Sequence, residues 1–189
     1  MGSSVGLNMT EALYNNIFWN LNASYHFTEV HGINVVANMM LPGLSKNGQA
    51  LKDGKIQKSN LTFDPSRAPS STYSLFGNYQ LVAYYGKISL TKQLVMNLSL
   101  YGLAGLGVVS FGDSTSIGMD VGFGQKLYFT KNLALRFDMS VYVYPGPDPT
   151  APKTPNKLLL TGGEKLGSSD FEQTVYSHVF LSFGLVYLL

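Results

Sequence analysis

A chain of 189 residues with a net charge of +2 and no cysteine suits one domain, 1–189, and excludes a disulfide framework, a thiolate metal site and the strong positive field of a nucleic-acid binder. Charged residues make up 13%, about half of the ~25% usual in soluble proteins, and aromatics are as frequent as charges. With 20 glycines added, the mixture fits a closed sheet in an apolar solvent.

In chain order, residues 3–9 alternate Val5, Leu7 and Met9 against Ser4, Gly6 and Asn8, the period-2 mark of a strand. The opening Met1-Gly2-Ser3-Ser4 reads as a trimmed start, with any leader already removed. Residues 14–27 oppose Ile17, Trp19, Leu21, Ala23, Tyr25 and Phe27 to Asn16, Asn20, Asn22, Ser24 and His26. Residues 31–40 set Ile33, Val35, Ala37 and Met39 against Asn34 and Asn38. In 73–90, Leu75, Tyr79 and Leu81 oppose Ser74, Asn78 and Gln80. The parity then slips near Tyr84-Tyr85, so that Ile88 and Leu90 carry the apolar face, as a β-bulge would cause.

Residues 94–109 read two ways. A helix of that length would span about 24 Å, short of the ~30 Å hydrocarbon core. Gly102, Gly105, Gly107 and the strand-spaced Asn97 and Ser99 favour a strand. Residues 117–129 and 133–144 form a further hairpin, and 171–189 form the last strand.

The connections differ in kind. Phe27-Thr28-Glu29-Val30, Leu90-Thr91-Lys92-Gln93-Leu94 and Phe129-Thr130-Lys131-Asn132-Leu133 are three versions of one tight hairpin phrase, whereas Leu41 to Thr72 and Pro145 to Asp170 are long. Tight turns at one end and long loops at the other predict an all-β fold, an eight-stranded antiparallel up-and-down transmembrane β-barrel. An even strand count puts both termini at the periplasmic face and the long loops outside.

Alternation alone fits a lipid-facing barrel and a soluble one that buries its apolar face. The polar face separates them: it is mostly Asn, Ser, Gln and Gly, which suit a crowded lumen, where a soluble exterior needs Lys and Glu. Trp19, Tyr25, Phe27, Phe129 and Tyr187 fall toward strand ends, where an aromatic girdle lies.

Phe183-Gly184-Leu185-Val186-Tyr187-Leu188-Leu189 resembles the C-terminal assembly signal of bacterial outer-membrane proteins, though it ends in Leu where Phe is usual. Tyr25-His26-Phe27-Thr28-Glu29, Tyr85-Gly86-Lys87-Ile88, Gly122-Phe123-Gly124-Gln125-Lys126 and Ala134-Leu135-Arg136-Phe137-Asp138 resemble the small outer-membrane β-barrel domain family of myxobacterial-type genomes. The plan is similar to that of OmpX- and OmpW-like barrels. The resemblance implies a fold and an address, the bacterial outer membrane, and carries no catalytic motif.

Asp120, Lys126, Arg136 and Asp138 fall on the predicted lumen face of one hairpin. Their charges sum to zero, which reads as an internal ion-pair network plugging a narrow barrel, with an ion path as the alternative. Pairing Phe129 with Leu133 sets Lys126 opposite Arg136; a shift by one pair sets it opposite Asp138. His26, His31 and His178 read as lumen or interface residues. His178 shares no face with Ser177 and lies too far along its strand from Ser182 for a nucleophile–base pair, so no catalytic, cofactor or metal site is expected.

The first long loop holds Lys46, Lys52, Lys55, Lys58 and Arg67 against Asp53 and Asp64, a basic set suited to lipopolysaccharide phosphates or to a solvated loop. Leu158, Leu159 and Leu160 in the second loop suit a partner contact or packing over the mouth. The leading expectation is a structural, adhesive or assembly role among outer-membrane lipids and other envelope proteins. The rivals are OmpW-like passage of small apolar molecules and a lipid-modifying enzyme.

Overall fold

A computed structural model of the chain describes residues 1–53, 64–89, 95–153 and 165–188. Its alternating segments form eight antiparallel strands: β1 (Gly2–Asn8), β2 (Tyr14–His26), β3 (His31–Leu44), β4 (Tyr73–Ser89), β5 (Val95–Ser110), β6 (Thr115–Tyr128), β7 (Leu133–Pro152) and β8 (Phe171–Tyr187). Each strand pairs with its sequence neighbours. β8 returns to β1, with Gly2 opposite Val186 and Leu7 opposite Leu181, so the sheet closes in a ring. The ambiguous stretch at 94–109 is strand β5, paired on both sides.

The repeated threonine phrase has one physical cause. In the β2–β3 turn, Thr28 Oγ1 accepts from the backbone N–H of Val30 at 3.3 Å and of His31 at 2.9 Å. In the β6–β7 turn, Thr130 Oγ1 accepts from Asn132 at 3.3 Å and Leu133 at 3.0 Å. The hydroxyl satisfies donors that a tight reversal leaves without a ladder partner. The third copy, 90–94, lies outside the described residues. These turns share one end of the ring with Met1 and Leu188, and the longer connections share the other.

Cross-strand pairs share a face, and burial alternates accordingly. Among the described side chains, even-numbered residues point inward on every strand except β5 and the last part of β4, where odd ones do. In β4 the parity changes at the expected place: Val82 pairs with Tyr101 but Tyr84 with Leu100, leaving Ala83 as the extra residue of a bulge. Beyond it Tyr85 and Lys87 face inward and Ile88 outward.

The second long loop is shorter than the sequence suggests. β7 runs on through Pro145 and Pro147, which pair with Val175 and Gln173, to Pro152 opposite Phe171. Proline disfavours strands because it lacks an N–H, yet β6–β7 pairing ends at Met119–Val143. Beyond that point β7 has a neighbour on one side only, and an edge strand tolerates proline. The first loop also starts later, at Ser45. It opens with a short helix, α1 (Lys46–Lys52), whose N-cap Ser45 Oγ accepts from Gly48 N.

Candidate functional site: the interior and its two ends

The interior is built in layers. Toward the loop end, Phe18, Met40, Phe76, Val109, Tyr142 and Phe180 form a buried cluster. Phe76 and Phe180 each lie 4.4 Å from the Tyr142 ring centre. Sequence reasoning expected a plug of small polar groups and missed this layer. The signal was there: Phe18, Met40, Phe76 and Phe180 occupy inward parity positions within strands whose outward positions are also apolar.

Below lies the polar layer. Ser4 donates to Asn20, Asn20 to Asn38, and Asn38 to Ser74 and to Tyr142 Oη, at 2.7–3.1 Å, a ladder from β1 through β4 and across to β7. The cavity at this height, between Phe18, Leu103, Asp120 and Arg136, measures about 20 Å³. That is room for about one water.

All four expected charges face inward and are buried. Phe129 N donates to Leu133 O, and Lys126 stands opposite Arg136, the first of the two registers. Arg136 Nε pairs with Asp138 Oδ2, Arg136 also donates to Asn22 Oδ1 at 2.8 Å, and Tyr101 Oη donates to Asp138 Oδ1 at 2.6 Å. The other two residues do not join this pair. Asp120 accepts from Asn78, and Lys126 lies 5.0 Å from the Tyr101 ring centre without a carboxylate in ion-pair range among the described residues. Both departures come from glycine. Asn78 and Asp120 sit on β4 and β6, and they meet because the β5 residue between them is Gly105. A Cβ there would collide with Asn78. Gly124 likewise opens the space in which Tyr101 on β5 reaches Asp138 on β7.

At the loop end the mouth is covered. Tyr14 Oη donates to Pro65 O at 2.7 Å, Leu166 N to Arg67 O at 2.9 Å and Ser168 N to Asp113 Oδ2 at 2.6 Å. The Ser168 hydrogen bonds hold the Asp113 carboxyl below its usual range. Beneath this cover His178 is hydrogen-bonded to Tyr144 Oη at 2.7 Å through Nδ1, and its Nε2 lies 3.5 Å from Glu11 Oε2. No strand pattern signals this line, because Glu11 sits in the short β1–β2 connection. Both imidazole nitrogens are engaged, so His178 has none left to activate a serine. Burial pushes the Glu11 carboxyl up to about 7.

His26 faces inward at the turn end, 3.1 Å from Gln80 Nε2, and His31 faces outward beside Tyr79 and Phe27. Of the basic loop set, Lys46 is exposed, Lys52 lies 3.5 Å from Asp64, and Arg67 is buried. Lys55, Lys58, Leu158, Leu159 and Leu160 lie outside the described residues.

The turn end stays open. A vestibule of about 980 Å³ is lined by His26, Tyr85, Lys87, Lys126, Phe129 and Lys131, with Glu29 as its acid among the described residues.

Comparison with family models, with curated proteins and with solved structures finds no match.

Proposed function

We propose that this chain is an integral outer-membrane β-barrel, capped at its loop end and filled at mid-height, whose role is structural or adhesive through the loop end. One observation carries the reading. Every outward position described on the eight strands is free of Asp, Glu, Lys and Arg, and most are large apolar residues exposed around the whole circumference, among them Val5, Leu21, Val35, Leu75, Leu106 and Val121. The charged strand residues of the ring wall face the other way. In water such a surface far exceeds the few hundred Å² of apolar patch a soluble monomer exposes. In a bilayer it is the required exterior, and the closed ladder leaves no strand edge in lipid.

The loop end supports the role. Residues 64–72 and 165–171 pack together through Ala68, Leu166 and Phe171, which gives the loop end a packed surface. The aromatic layer and the polar ladder below it argue against passage of small apolar molecules along the axis. The test is electrophoresis in SDS with and without boiling. A closed barrel in detergent is expected to keep its β circular-dichroism spectrum and to migrate differently before and after boiling. Equal migration and an unfolded spectrum in unboiled SDS would sink the reading.

A further inference from the structure

Lys126 is 3% exposed, and no carboxylate among the described residues lies within ion-pair range of it. Arg136, opposite it in the ladder, lies 5.4 Å from the same Tyr101 ring centre, so two cations lie against one aromatic ring. Asp138, on that same wall, has both oxygens taken, Oδ1 by Tyr101 Oη and Oδ2 by Arg136 Nε. Asp120 is held by Asn78 across Gly105. Two buried cations thus face one committed carboxylate, an arrangement that is costly unless an anion completes it.

The place where that anion arrives is open. Lys126 lines the vestibule of about 980 Å³ and also the adjoining cavity of about 660 Å³ beside Tyr25, His26 and Val186. Lys87 and Lys131 stand at the rim against Glu29, and Tyr85, Phe129 and Leu188 provide apolar wall.

We propose that the turn-end vestibule binds a small oxyanion headgroup, a carboxylate or a phosphate, with Lys126 as its fixed contact. The ammonium offers three donors and makes short charge-assisted bonds to such an oxygen. The rim lysines raise the local anion concentration, and the aromatic wall receives an apolar body attached to the head. The site rests on the interior geometry alone and stands whether or not the exterior faces lipid.

The experiment is calorimetric titration of the folded chain in a nonionic detergent, at constant ionic strength, with inorganic phosphate and with dodecyl phosphate. Saturable binding is expected, weakened in Lys126→Met by a factor on the order of ten to a hundred, the worth of one charge-assisted contact. Lys126→Arg keeps the cation and is expected to keep binding, which separates loss of the site from loss of the fold. Heat-shifted migration of each variant reports that it has folded. Binding of both probes supports a soluble ligand, and binding of dodecyl phosphate alone supports one drawn from the lipid phase. No saturable binding of either probe, or wild-type affinity in folded Lys126→Met, overturns the proposal.

Discussion

Arg136 is 2% exposed and depends on two partners, Asp138 and Asn22. Asp138→Ala therefore leaves a guanidinium facing Lys126 with its carboxylate gone, at a cost of about 3–5 kcal/mol. Urea unfolding in detergent micelles is expected to show that loss. The same variant in planar bilayers is expected to stay non-conducting, because the aromatic layer above it is untouched. A stable current retuned by Asp138→Ala would instead make the group a pore lining. At this scale the sequence showed that the four charges share the inner face, and it offered two registers for their hairpin, of which the one pairing Phe129 with Leu133 sets Lys126 against Arg136. It hid the separation of Asp120 and Lys126 from that pair. Those contacts skip a strand over Gly105 or turn on Gly124, and they depend on the register of three strands at once.

Elements were legible where a local cause sufficed. The Thr28 and Thr130 hydroxyls fix their own turns, and the slip at Tyr84-Tyr85 is visible because one extra residue exchanges the two faces of β4. The extension of β7 past Pro145 was not, since proline is tolerated there only because pairing with β6 has already stopped at Met119–Val143. The β1–β2 connection is the other surprise, for it carries Glu11 into a pocket among Tyr14, Tyr144, Tyr176 and His178. Burial pushes this carboxyl from 4.5 up to about 7, so between those values the folded chain holds a proton that the unfolded chain has released. Stability contributed by Glu11 is therefore full below about pH 4.5 and falls as pH rises toward 7, by about 3 kcal/mol at most. Across that range the unfolding midpoint of the wild type is expected to decline relative to that of Glu11→Gln, whatever slope the neighbouring His178 adds to both. An equal decline in the variant would assign the slope to another group.

The whole molecule reads as a cylinder with unlike ends: a packed cover of loop segments, an aromatic layer, a hydrogen-bonded polar layer, and a basic vestibule at the turns. Its outside bears apolar side chains, and its single tryptophan, Trp19, is among them at 43% exposed. The indole N–H donates to Ser3 Oγ on the neighbouring strand at 2.7 Å, so it needs no water. Trp19 therefore reports on the solvent of the outer face without any substitution. With the chain reconstituted in phosphatidylcholine vesicles, acyl chains brominated in one sample should strongly quench its fluorescence. Emission should be blue-shifted, and aqueous iodide should have little effect. Red-shifted emission quenched by iodide and indifferent to brominated lipid would place Trp19 in water and contradict a membrane-spanning barrel.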